Sequence, residues 1–328
     1  MAIKVITPGL STTVQDLGRP GHYHLGFPEG GGMDRFATVV ANLLVGNPEG
    51  AALLEATFMG PELEFTAPAV VAVTGGELPP KVNGVEQPTW ESFAVKAGDR
   101  LSFGFLKGGA RAYIAVSGGI DVPVVLGSRS TYVLGALGGF QGRALKAGDE
   151  LPVGQDTLGQ GAGTPGRALP PGLRRAEPAD IELRMLPGLY WHRITAAAGT
   201  RFFEDIWKVA PEADRIGYRF RGGQPLEFVE REQPFGAGSD PSNIVDACYP
   251  YGSIQVPSGT EPIVLHRDAV SGGGYMMLGA VISADMDRIA QLQPHRAARF
   301  VPVTMDQALA ARAENAALFT AARAHIGG

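Results

Sequence analysis

Apolar runs rich in Val, Ile, Leu and Phe fill much of this sequence, and glycine or proline breaks most of them within a few residues. Runs that short do not carry the repeated i, i+3, i+4 face of a three-turn helix, but they suit strands closed by turns. The 46 glycines and 25 prolines are spread along all 328 residues, so the constraint acts on the whole chain. It predicts a mainly β fold with a few helices. Expected strands lie at 3–6, 63–65, 69–74, 100–105, 112–117, 181–186, 226–229, 253–256, 262–266, 279–283 and 298–303. The Lys-Ala-Gly-Asp turns at 96–99 and 146–149 each lead into a new run, with glycine supplying the positive φ.

Four stretches have helical character. Residues 33–44 place Met33, Phe36, Val40, Leu43 and Leu44 on one face and stop at Gly46-Asn-Pro48, with Asp34 at the start as a cap. Thr200 is the expected cap of a helix over 200–209 that buries Phe203, Ile206 and Trp207. Ser283 is the expected cap of one over 283–292, before Pro294. The longest, alanine-rich and amphipathic, spans 305–325.

The length suits two domains. A stretch rich in Gly, Pro, Gln and Thr predicts a connector over 156–179, between an N-terminal β-rich subdomain (1–155) and a C-terminal one (180–328). A Gly-x-x-Leu-Glu-Phe echo at 60–65 and 223–228 favours two similar β domains, although simple strand grammar also explains it.

The net charge of −5, with no basic run beyond Arg174-Arg175, argues against nucleic acid or an anionic membrane as partner. Charged residues make up 19%, which fits either an oligomer's protomer with a covered face or a loop-rich monomer. The single cysteine, Cys248, rules out an internal disulfide and reads as a lone buried thiol. No apolar stretch of about 18 residues occurs, and the N-terminus turns polar before a signal-length run develops. The expected location is cytoplasmic.

Several chemistries lack their motifs. There is no Walker A loop, no His-Glu-x-x-His, no paired Cys-x-x-Cys, no Asp-rich calcium loop and no Met-Lys-Met biotin-attachment tripeptide. Neither Gly127-Ser-Arg-Ser-Thr131 nor Val116-Ser-Gly-Gly119 is a Gly-x-Ser-x-Gly elbow. His22 and His24 alternate as on a strand face, but two histidines do not make a metal site, and none is predicted.

The densest polar, glycine-rich stretch runs from Asp240 to Tyr275. Within a strand, His266 and Asp268 would share a face, either as a proton-transfer pair or as a solvated strand end. Gly273, Gly274 and Tyr275 either cradle an anion or carbonyl oxygen with backbone amides or form a flexible hairpin turn. Asn243 and Asp246 either orient an amide-like ligand, with Gln255, or cap loops. Arg19, in a second dense stretch, can hold a carboxylate bidentately. Arg215 and Arg219, in Asp214-Arg-Ile-Gly-Tyr-Arg219, are anion anchors or strand-surface ion pairs. On residue chemistry, His266, Asp268 and Tyr275 are the candidate catalytic residues. Arg219 is assigned anion contact, and Asn243, Asp246, Gln255, Gly273, Gly274 and Arg19 substrate or phosphate binding.

Longer motifs carry a family resemblance. Thr12-Thr-Val-Gln-Asp-Leu-Gly-Arg-Pro-Gly21, Met33-Asp34, Ala41-Asn-Leu-Leu-Val-Gly-Asn-Pro48 and Leu54-Glu55 resemble the N-terminal signature of the biotin-dependent carboxyltransferase family, long labelled allophanate hydrolase subunit 2. That family includes KipA and the C subunit of bacterial 5-oxoprolinase. Gly118-Gly-Ile-Asp-Val-Pro123, Gly127–Thr131, Asp214–Arg219 and the stretch from Gly252-Ser-Ile-Gln-Val-Pro257 through Gly273-Gly-Tyr275 extend the resemblance over about residues 3 to 303.

The resemblance implies two cyclophilin-like β-barrel subdomains and a KipI-like protein (the B subunit of 5-oxoprolinase) as partner, with a LamB/YcsF-like protein (its A subunit) completing that enzyme. It implies ATP-driven opening of the 5-oxoproline lactam to glutamate. A related branch moves a carboxyl group from carboxybiotin, on a separate carrier, to urea. KipA-like members are linked instead to antagonism of a kinase inhibitor, without catalysis. Asp240-Pro-Ser-Asn-Ile-Val-Asp246 resembles the urea carboxylase branch, and Gly273-Gly-Tyr-Met-Met277 lacks the proline expected after the tyrosine.

Overall fold

The computed structural model describes residues 1–155, 164–175 and 181–327. The chain forms two compact units. The first comprises Met1–Pro20, Gly30–Arg175 and Ala317–Gly328, and the second comprises Gly21–Glu29 and Ala176–Ala316. The fold is mainly β with four helices among the described residues.

The first unit contains two sheets. One has six strands, in the order Glu150–Pro152, Ala2–Thr7, Glu62–Phe65, Arg100–Phe103, Pro80–Val82 and Val85–Glu86. The other has five, in the order Ser11–Gln15, Leu53–Thr57, Gly108–Val116, Ala69–Glu77 and Ser92–Val95. Alternate residues explain the layering. Ile3, Val5, Leu63 and Leu101 from one sheet and Val71, Val73, Ile114 and Val116 from the other share one core. The intervening Val70, Ala72, Tyr113 and Ala115 face a second core with Phe36, Val40 and Leu44 of the helix Arg35–Leu44. Asp34 caps that helix, accepting the Ala37 N–H at 3.0 Å.

Each Lys-Ala-Gly-Asp turn is closed by its aspartate. Asp99 accepts the Lys96 N–H and Asp149 the Lys146 N–H, both at 2.7 Å. Arg143 also grips Asp149 through both carboxylate oxygens, at 2.7 and 2.8 Å.

The second unit is built on a closed seven-stranded barrel. Its order is Ile181–Pro187, Met277–Val281, Ser253–Gln255, Ile263–Leu265, Gly217–Arg221, Trp207–Val209 and Ala297–Pro302. All pairs are antiparallel except the closing one, Ile181–Pro187 with Ala297–Pro302. Closure leaves the ladder without an edge. Phe300, fully buried, stacks on Phe202 at 4.9 Å and meets Phe220 edge-on at 5.4 Å.

Some local expectations change. The helix expected at 200–209 forms earlier, as Ala196–Glu204, with Thr195 as its cap. Trp207–Val209 is instead a barrel strand that buries Trp207 and leaves Ile206 exposed. Period two thus overrides the helical pattern where the barrel needs a strand. The helix expected at 283–292 shortens to Met286–Ile289, with Asp285 engaged by Arg184 at 2.6 to 3.0 Å. Residues 226–229 form only a single bridge, Phe228 with Ile194. His22 and His24 lie at a 3-10 turn, Tyr23–Leu25, not on a strand. The long helix is Met305–Gly327. Of the expected connector, 156–163 and 176–179 lie outside the described residues. Its residues 164–175 belong to the first unit, where Leu169 is fully buried.

Phe300→Ala is expected to cost about 3–5 kcal/mol in urea denaturation, because the barrel core cannot close over the lost ring. A second prediction concerns pH. The Arg143 hydrogen bonds hold the Asp149 carboxyl below its ordinary pKa of 3.8. Its stabilisation is therefore full above that value and lost as pH falls below it. Asp149→Asn should destabilise at pH 7 and converge on the parent in denaturation midpoint as the pH falls below the shifted value.

Candidate functional site

The polar stretch from Asp240 to Tyr275 builds a two-stranded antiparallel ribbon in the second unit, Asn243–Cys248 against Gly272–Tyr275. Its register pairs Asn243 with Tyr275, Ala247 with Gly273 and Cys248 with Gly272. The glycine segment is thus a strand and not a loose turn. The ribbon forms its own sheet, separate from the closed ladder, and isolated pairs of strands are marginal in water.

Tyr249 supplies the missing support. Its Oη accepts the Tyr275 N–H at 2.8 Å and donates to the Tyr275 carbonyl at 2.7 Å. The Gln255 side chain, on a neighbouring barrel strand, acts to lower the pKa of the same hydroxyl. Burial pushes the Tyr249 pKa up, so the hydroxyl remains a donor. A Cβ on Gly273 would lie 3.2 Å from the Tyr249 ring and 3.4 Å from its hydroxyl. Glycine at this position lets the ring cross the strand. At the base of the ribbon, Tyr23 donates to the Tyr249 carbonyl at 2.6 Å, with the Val270 carbonyl 3.2 Å away.

The structure therefore brings together Asn243, Asp246, Gly273, Gly274 and Tyr275, with Gln255 joined through Tyr249. Asp246 is exposed, and its Oδ1 lies 3.7 Å from where a Cβ on Gly272 would stand. A carboxylate, a carboxamide and side-chain-free backbone on one accessible ribbon can pair with the donors and acceptors of an amide. Cys248 is exposed on the same ribbon, not buried as expected.

His266 and Asp268 do not share a strand face. The strand ends at Leu265 and the chain turns, with the Ala269 N–H donating to the His266 carbonyl at 3.1 Å. Both side chains are nonetheless buried. His266 Nδ1 accepts the Arg267 N–H at 3.0 Å, which places the ring proton on Nε2, 3.1 Å from the Met286 carbonyl. Asp268 receives a fork from Arg215, Nε at 2.8 Å and Nη2 at 3.0 Å.

Arg219 lies between the inward Tyr218 and Phe220, so it points out of the barrel, where Glu261 is 3.8 Å away. Arg19 belongs to the first unit, where it is buried and donates to the Ser130 carbonyl. Beside it, Asp16 accepts from the Gly18 N–H, the Ser128 and Ser130 hydroxyls and the Arg129 N–H, at 2.5 to 2.7 Å. The two motifs at 12–21 and 127–131 thus meet in one network. Gly138, at φ +66°, closes over it, and a Cβ there would lie 2.2 Å from the Ser130 carbonyl. Among the described residues, no group of three or more His, Cys, Asp and Glu could hold a metal ion.

Residues 25–302 match the family model described as carboxyltransferase domain, subdomain A and B, and the chain belongs to that family. It is 35% identical over 317 residues to the C subunit of 5-oxoprolinase from Escherichia coli (strain K12), a match covering 97% of this chain and 96% of that protein. It is also 35% identical over 317 residues to urea amidolyase of Lachancea kluyveri, where the match covers 92% of this chain but only 17% of the relative. Among solved structures it resembles Kluyveromyces lactis urea carboxylase, with a TM-score of 0.90 and 34% identity, covering 98% of this chain and 29% of that one.

Tyr249→Phe keeps the ring and removes both bonds to Tyr275. The expected cost in urea denaturation is about 1–3 kcal/mol, for a peptide group left without its partner.

Proposed function

We propose that this chain acts as the C subunit of an ATP-dependent 5-oxoprolinase, opening the lactam of 5-oxoproline to glutamate together with KipI-like and LamB/YcsF-like partners. The observation that carries this reading is the match to the Escherichia coli 5-oxoprolinase C subunit over 96% of that protein's length. Most of urea amidolyase, by contrast, has no counterpart in this chain.

In this reading the ribbon takes the lactam. Asn243 and Asp246 pair with its N–H and C=O edge, Gln255 and Tyr249 hold the frame, and Gly273 and Gly274 leave the backbone beside the carbonyl oxygen free of side chains, with the Tyr275 N–H kept by Tyr249. An amide carbonyl is a poor electrophile, and ATP supplies the phosphoryl group that activates its oxygen. The ribbon strands contain no Lys or Arg, so the cations for phosphate lie elsewhere. Arg219 is assigned there because it is 43% exposed. His266 is the proton-transfer group, and Asp268 acts with it by fixing Arg215 beside it.

A second reading, carboxyl transfer from carboxybiotin to urea, is favoured by the Asp240-Pro-Ser-Asn-Ile-Val-Asp246 segment, which leads into the ribbon and supplies the first four residues of one of its strands. The two readings separate in one assay. With partner subunits, 5-oxoproline-dependent ADP release is expected from the first reading. Urea-dependent turnover that requires a biotin carboxylase and a biotin carrier is expected from the second. Within the first, His266→Ala should lower turnover by about 10²-fold or more. Unchanged turnover in a His266→Ala, Asp268→Ala double variant would remove the proton-transfer assignment.

A further inference from the structure

Three arginines of the second unit carry carboxylate partners in different ways. Arg184 grips Asp285 at 2.6 to 3.0 Å, and Arg215 grips Asp268 at 2.8 and 3.0 Å. These are forks of the kind a planar guanidinium makes with a carboxylate. Arg267 is the most buried of the three, at 9% exposed, yet its contact is the loosest. Its Nη1 reaches Glu29 at 3.4 Å, and Glu29 is itself 47% exposed.

The surroundings of Arg267 leave donors waiting. Its guanidinium lies over the Tyr251 ring, 4.5 Å from the centroid. Its Nε is buried and has no hydrogen-bond partner among the described residues, and the same is true of the Tyr251 hydroxyl. The His266 ring stands edge-on to Tyr251 at 5.3 Å. Burial works against the Arg267 charge and Arg215 opposes it, while Asp287 and Glu29 sustain it electrostatically. A buried, charged donor beside a buried hydroxyl donor calls for an acceptor with negative charge. Glu29 answers only in part, from the solvent side.

We propose that Arg267 and Tyr251 form a recognition site for the carboxylate of a small ligand, and that Glu29 occupies its mouth as a displaceable substitute. An entering carboxylate takes the Arg267 Nε–H and the Tyr251 O–H, and Glu29 returns to water. Two buried donors, the Arg267 Nε–H and the Tyr251 O–H, match the two oxygens of a carboxylate. The anion chemistry stands on these residues alone. Naming the ligand as 5-oxoproline, which carries a carboxylate beside its lactam, rests on the proposed function. Urea has no such group.

The test is calorimetric titration of the full chain with 5-oxoproline, 2-pyrrolidinone (the same lactam without its carboxylate), acetate and inorganic phosphate. It is repeated on Glu29→Gln, Arg267→Lys and Tyr251→Phe, each checked for native circular dichroism. Expected are binding of 5-oxoproline at least about tenfold tighter than 2-pyrrolidinone, a several-fold gain in Glu29→Gln, and a loss of about tenfold or more in Arg267→Lys. Glu29→Gln changes a half-exposed side chain, so it still decides the matter if Arg267→Lys does not fold. Acetate binding that follows the same variants, without 5-oxoproline binding, upholds the carboxylate site and removes the 5-oxoproline reading. Binding of 5-oxoproline that ignores Glu29 and Arg267 overturns the site and leaves that reading standing. Preference for phosphate, or no carboxylate binding even in Glu29→Gln, also overturns the site.

Discussion

The Tyr249 hydroxyl stands in for a missing strand. A ribbon of two strands, one of them almost pure glycine, has little side-chain packing of its own to hold it. Glycine also loses more conformational freedom on ordering than any other residue. By bonding both the N–H and the C=O of Tyr275, Tyr249 fixes the end of the glycine strand. Its ring packs with Ile263, Leu265 and Ala269, which ties the ribbon to a barrel strand and to the turn that follows it. The same glycines that weaken the ribbon let the ring approach and leave its backbone open to a ligand.

The segment Gly21–Glu29 gives this arrangement a second support. It comes from the N-terminal part of the sequence but belongs to the second unit. Tyr23 secures the base of the ribbon, and Glu29 meets Arg267. Burial raises the Tyr23 pKa, with help from Glu29 and Cys248, so this hydroxyl too stays a donor. One short segment therefore touches both the ribbon and the Arg267–Tyr251 stack.

Much of the fold is legible in the sequence because strands buried on both faces, as in 69–74 and 112–117, read as unbroken apolar runs, while a half-buried one such as 181–186 alternates. Leu53–Thr57 escapes that reading because its Glu55 is buried, where it accepts the Met33 N–H at 2.8 Å. Asn243–Cys248 escapes it because an exposed ribbon needs no apolar alternation. The site's membership is half legible. Asn243, Asp246 and Gly273–Tyr275 announce themselves as polar or glycine-rich residues close in sequence. Tyr249 and Tyr251 do not, since an aromatic residue beside Ala, Cys and Pro reads as core, and Tyr23, between two histidines, lies more than two hundred residues away in sequence. Only the folded positions of their hydroxyls show otherwise. Arg19 and Asp16 stand out in a dense polar motif, yet in the first unit they bond to the loop at 128–130.

The most direct test of this account is amide hydrogen exchange at Tyr275. If Tyr249 holds the ribbon, the Tyr275 amide is protected in the parent chain and exchanges at least about tenfold faster in Tyr249→Phe, while amides of the barrel strand Ile263–Leu265 keep their protection. Equal exchange at Tyr275 in the two proteins would contradict it.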